Sequence, residues 1–186
     1  MIPARSTLIL LLVLACPAFA SAQTGSSCGP ANVKFDIATT KELPPAPTPQ
    51  PGKALVYFLQ DDLKYNWAPR PTTRFGIDGA WVGGTHANSY FYVFVDAGEH
   101  HLCANWQSDR TGLAWLGSKR STAAAHLTAE GGKTYYFRAQ DILYTEQSNN
   151  VNTIKSEPEV LLSPLDPDEA QALMSSFSFS VAHAKK

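Results

Sequence analysis

Apolar positions along this chain recur at every second residue or gather in short unbroken runs, the two patterns of β-strands. "ALVYFL", Ala54 to Leu59, is a continuous run of strand length and reads as a central strand buried on both faces. "SYFYVFV", Ser89 to Val95, carries aromatics on one parity and mostly aliphatics on the other. In "TTRFGIDGAWVGGT", Asp78-Gly79 is the residue pair of a type I′ turn, which predicts a hairpin. Its register sets Ile77 against Ala80 and Phe75 against Val82 on the core face. Gly76 then faces Trp81, whose ring would cover the glycine.

A turn at Ala97-Gly98 predicts a second hairpin, with Val93 opposite Leu102, Phe91 opposite Ala104 and Tyr92 opposite Cys103. Trp106 follows Leu102 and Ala104 in parity, so it belongs to the core. A third hairpin is expected around Gly131-Gly132, between a strand ending at Thr128 and the alternation of Tyr135, Phe137 and Ala139. Val33, Phe35 and Ile37 mark an earlier short strand, and Asp141 to Thr153, rich in Asn and Ser, a loop. In "LDPDEAQALMSS", Asp166 is the N-cap, Pro167 sits at N1 and Glu169 completes a capping box. "FSFSV", Phe177 to Val181, returns to period two. The expected fold is all-β: a β-sandwich of antiparallel strands with one short C-terminal helix.

The first 22 residues read as a signal peptide. Arg5 precedes the apolar run Leu8 to Ala15, too short to span a bilayer, and Ala20-Ser21-Ala22 fits a small-x-small cleavage site. "VLAC" offers the alternative of a lipid anchor at Cys16. Residues 23–43 form an N-terminal arm with one strand. Residues 44–52 are a Pro-rich spacer, extended and stiff. Residues 53–182 are the sandwich domain. No transmembrane span is expected.

Of 186 residues, 44% are hydrophobic and 17% charged, with a formal net charge of −1. Cleavage after Ala22 removes Arg5, leaving 14 basic against 16 acidic residues, a net of −2. This balance offers no electrostatic footprint for nucleic acid or an anionic membrane.

Cleavage also leaves two cysteines, Cys28 and Cys103. In "GEHHLCANWQS", His101 and Cys103 share one face of a strand while His100 and Leu102 share the other. The cluster therefore cannot turn all its ligands toward one ion. His86 and His126 are available elsewhere, but no helical His-x3-His or Cys-x2-Cys spacing supports a metal site. A catalytic thiol would need a local motif that is absent. The preferred reading is a Cys28–Cys103 disulfide in an oxidising compartment. It would pin the Val33–Ile37 strand over Tyr90, Tyr92 and Phe94. Asp61-Asp62 reads as solvated loop charge. No catalytic, cofactor or metal residue is assigned. Trp67, Trp81 and Trp115 are candidate ligand or partner contacts, because exposed indoles stack on apolar ligand surfaces.

The order "ALVYFL…GIDGAWVGG…SYFYVFVDAGEHHLCANW…LTAEGGKTYYFR" resembles the domain of unknown function 2846 family of bacterial proteins. It covers roughly Lys53 to Gln140; the arm, the spacer and the Trp115 segment lie outside the shared pattern or depart from it. The resemblance implies a β-sandwich at the cell envelope, exported or lipid-anchored, and carries over no catalytic residue. The expected function is non-enzymatic: a periplasmic or envelope-associated protein with a structural or partner-binding role, its partner an envelope protein or a glycan. The alternatives are a carbohydrate- or peptide-binding module using exposed aromatics and, ranked last, a metal-dependent hydrolase.

Overall fold

A computed structural model describes residues 28–42, 44–45, 47–48, 50–62, 72–107, 122–147 and 154–185. Side chains are described except at 143–147 and 154–158. The first 27 residues, Cys16 among them, and Trp67 and Trp115 lie outside the described residues. The strands are β1 (Phe35–Thr40), β2 (Lys53–Gln60), β3 (Thr73–Ile77), β4 (Ala80–Thr85), β5 (Ser89–Asp96), β6 (Gly98–Trp106), β7 (Thr122–Ala129), β8 (Thr134–Gln147), β9 (Ile154–Pro164) and β10 (Ser178–Ala184). The helix α1 spans Pro167–Met174. The strands form a six-stranded sheet, ordered β1-β10-β5-β2-β8-β9, and a four-stranded sheet, ordered β4-β3-β6-β7. The fold is an all-β sandwich with one short helix. Most pairings are antiparallel, but β10–β5 and β2–β8 are parallel.

Side-chain parity follows the sequence. Val56, Phe58, Phe91, Phe75, Leu102, Trp106 and Phe137 fill the space between the sheets. Leu55, Tyr57, Leu59 and Tyr90 form a second cluster on the outer face of the six-stranded sheet. β2 is thus buried on both faces, as its unbroken apolar run requires.

Strand pairing departs from the sequence in two of the three expected hairpins. β3 and β4 do pair, with Asp78 and Gly79 at φ 51° and 81° as a type I′ turn demands. A bulge between Phe75 and Gly76 shifts the register, so Phe75 meets Gly83 instead of Val82. The Phe91 ring fills the space beside Gly83; an added Cβ there would lie 2.7 Å from it. β5 and β6 do not pair. β5 lies between β10 and β2, whereas β6 lies between β3 and β7. The chain crosses from one sheet to the other at Ala97, and again between β7 and β8. Phe91, Val93, Leu102 and Ala104 still point into one core, because parity survives a change of sheet. The expected Asp141–Thr153 loop is also shorter: β8 runs on to Gln147 and pairs with β9. β9 is an edge strand, where the missing N–H of Pro164 is tolerated.

The arm's strand, β1, begins two residues later than expected and joins the six-stranded sheet beside β10. It does not cover Tyr90, Tyr92 and Phe94. Those rings pack with Leu165, Ala170, Leu173, Met174 and Phe177 of the helix region and with Phe179. The chain order of pairings makes β1 and β2 run in the same direction. The end of β1 at Thr40 and the start of β2 at Lys53 therefore lie toward opposite ends of the sheet. Twelve residues separate those strand ends, which at polyproline pitch reach roughly 37 Å, ample for a strand about 27 Å long.

At α1, Asp166 accepts from the Asp168 N–H at 2.9 Å, as an N-cap should. Glu169 does not complete the capping box; it accepts from Arg138 of β8 at 2.7 Å.

Candidate functional site on the four-stranded sheet

Alternation along β6 turns Glu99, His101, Cys103 and Asn105 to the outer face of the four-stranded sheet. Registers with the neighbours arrange this face in rows. One row reads Trp81, Gly76, Cys103, Ala124. The next reads Arg74, Asn105, Thr122. On the other side, His101 faces His126 and Glu99 faces Thr128.

The arm crosses the first row. Cys28 and Cys103 form a disulfide with Cα atoms 5.3 Å apart, a normal span for the bond. The Cys28 carbonyl oxygen lies 2.3 Å from where a Cβ on Gly76 would be. Gly76 is therefore covered by the arm's backbone and not, as expected, by the Trp81 ring. Trp81 leans the other way. Its Nε1 donates to the Pro30 carbonyl at 2.8 Å, and its ring fills the space beside Gly29. The Arg74 guanidinium lies 4.2 Å over the same ring. Arg74 also donates to the Val33 carbonyl and to Asn105 Oδ1. A cavity of about 230 Å³ remains between Cys28, Ala31, Arg74, Trp81, Asn105 and Thr122. Of the three tryptophans singled out in the sequence, only Trp81 lies among the described residues, and it clamps the arm.

In the second region, His126 Nε2 and Glu99 Oε2 are 2.9 Å apart, and Thr128 Oγ1 donates to Glu99 Oε1 at 2.8 Å. His101 and His126 present rings with centres 5.3 Å apart. His100, of opposite parity, is held between Asp78 Oδ2 at 2.7 Å and the Asp96 carbonyl at 2.8 Å. Burial pulls its pKa down, but the Asp78 carboxylate and the Asp96 carbonyl outweigh that and raise it. "HHLC" thus splits three ways: His100 to the turn, His101 to His126, and Cys103 to the arm. Sequence spacing alone could not show the cross-strand neighbour.

A third cluster, missed in the sequence, closes one end of the core. Asp141, 4% exposed, accepts from Trp106 Nε1 at 2.6 Å and Gln60 Nε2 at 3.2 Å. Gln60 Oε1 in turn accepts from Thr85 at 2.7 Å. Burial raises the Asp141 pKa to about 6; the donors Trp106 and Gln60 oppose this, and the charges of Asp62 and Asp61 add to it. Both carboxylate oxygens are engaged, so the cluster ties the two sheets together. Asp61 itself accepts from Gln140 and stands 3.8 Å from Arg138, so it is not the plain solvated charge expected.

Among the described residues, no group of three or more His, Cys, Asp or Glu side chains is arranged to hold a metal ion. Among them also, no helix is long and apolar enough to cross a membrane. Comparison with known protein families, curated proteins and solved structures finds no match to this chain.

Proposed function

We propose that this chain is an exported, non-enzymatic cell-envelope domain with a structural or partner-binding role, of the kind the domain of unknown function 2846 resemblance implies. The Cys28–Cys103 bond carries this reading. Disulfides persist in oxidising compartments, whereas cysteine thiols are kept reduced in the cytosol. The arm is locked onto the sandwich by that bond, by Trp81 and by Arg74, which favours a rigid body over a moving catalytic one. The buried carboxylate Asp141 is occupied by indole and carboxamide donors, as a structural tie would be.

Expression with the native leader, followed by fractionation and affinity capture from envelope extract, tests the proposal. The expected result is a processed, oxidised chain in the periplasmic or envelope fraction, retaining a defined envelope protein or glycan. A chain confined to the cytosol with both thiols reduced would overturn it.

A further inference from the structure

His101 and His126 are direct cross-strand partners on β6 and β7. The His101 carbonyl accepts from the Asp78 N–H at 2.9 Å, and the His101 N–H donates to Asp78 Oδ1 at 2.8 Å. In a strand, one residue's N–H and C=O point to the same side. The backbone of His101 thus faces the β3 side and leaves β7 unbonded at that position. His101 and His126 are consequently a non-hydrogen-bonded pair, the antiparallel arrangement that brings side chains closest. Both residues are exposed.

The ring centres are 5.3 Å apart, with planes inclined 59°. An ion holding two imidazole nitrogens at about 2.0–2.1 Å in a tetrahedral arrangement sets ring centres roughly 5 Å apart. The spacing already fits, and with His126 held by Glu99, rotation of the exposed His101 ring supplies the remaining aim. Glu99 adds an independent feature. A carboxylate only accepts, so His126 Nε2 carries the proton facing Glu99, and the neutral ring keeps its lone pair on Nδ1. A histidine whose other nitrogen donates to a carboxylate is the usual state of a metal-ligating imidazole. Thr128 holds that carboxylate from its far oxygen.

We propose that His101 and His126 bind a divalent transition-metal ion through two imidazole nitrogens, with Glu99 orienting His126 and water completing the coordination. Two nitrogen ligands rank Cu²⁺ above Ni²⁺ and Zn²⁺. Cys103, which shares the His101 face, is committed to the disulfide and is not a ligand.

The test uses tag-free, oxidised, processed protein titrated with Cu²⁺ and, separately, Zn²⁺, with calorimetry and electron paramagnetic resonance of the copper form. The expected result is one tight equivalent, with the copper spectrum reporting two nitrogen ligands. His101→Asn and His126→Asn should each weaken it at least tenfold. Glu99→Gln should weaken it about 10-fold. His183→Asn, on β10, should leave it unchanged. Thermal unfolding of each variant checks that the exposed substitutions leave the fold intact. A tight equivalent that survives His101→Asn/His126→Asn, or no binding tighter than that double variant shows, would overturn the site.

Discussion

Asp141 is a carboxyl group held by one indole N–H and one carboxamide N–H in a nearly dry site. Its folded pKa, about 6, stands above the ordinary 3.8. The stability it contributes is therefore complete below about pH 3.8 and is lost as pH rises through about 6. Holding the carboxyl neutral up to about pH 6 corresponds to about 3 kcal/mol. Asp141→Asn removes that penalty. Its amide can donate to Gln60 if the Gln60 carboxamide turns over, and the Thr85 hydroxyl then accepts where it had donated. Denaturant midpoints should show Asp141→Asn at least as stable as the parent at pH 7, with the decline between pH 4 and 7 largely gone. Asp141→Ala should cost about 2–4 kcal/mol by stranding both donors. Gly76 sets a second test at this scale. A Cβ there strikes the Cys28 carbonyl, so Gly76→Ala should lower stability by about 1–3 kcal/mol in the oxidised protein. The loss should fall below about 1 kcal/mol when both cysteines are serine, because the freed arm can lift. Equal losses in the two backgrounds would mean that the arm does not press on this glycine.

At the scale of elements, legibility tracked the reach of the interaction. The β3–β4 turn and the Asp166 N-cap were readable because each depends on a few adjacent residues. The bulge that moves Phe75 onto Gly83 was not, because the Phe91 ring that fills the space comes from the other sheet. The same holds for β5 and β6. A short turn is normally a hairpin signal, and nothing local in "DAGE" announces a change of sheet. The apolar content of the Tyr90, Tyr92 and Phe94 face was legible, but its cover was misplaced, since α1 arrives from the far end of the chain. Asp141 stands at the head of a stretch whose Asn and Ser content reads as a loop, so its bond to Trp106 on the other sheet has no local sign, and the His101–His126 row needs the β6–β7 register. The type I′ hairpin yields its own prediction. Asp78 keeps its turn conformation as Asn and can still accept the His101 N–H, but the ion pair with His100 is lost. Burial raises the Asp78 pKa, yet the His100 bond and the His101 N–H together lower it. The Asp78 contribution is present above about pH 4 and lost as pH falls. That of His100 is present below about pH 6.5 and lost as pH rises through its raised value. Asp78→Asn should therefore cost about 0.5–1 kcal/mol at pH 6, reduced by solvent screening, and less at pH 9. A cost that does not vary with pH would assign the effect to the turn alone.

At the scale of the molecule, the arm is a structural member and not an appendage. It supplies an edge strand to one sheet through β1 and a covalent tie to the other through Cys28. Residues 28 and 103 are separated by 75 positions. The chain-entropy relation gives about 4.5 kcal/mol for such a loop as an upper figure. Cys28→Ser/Cys103→Ser should lower the unfolding free energy by about 2–4.5 kcal/mol and expose the arm to limited proteolysis first. The tie between arm and sandwich is read out by a non-reducing peptide map, with thiol titration, of the chain recovered from its native compartment. The Cys28 and Cys103 peptides should be joined, with neither sulfur reactive until reductant is added. Two titratable thiols in the processed, folded protein would mean that the Cys28–Cys103 bond does not form and that the arm is not tied to the sandwich.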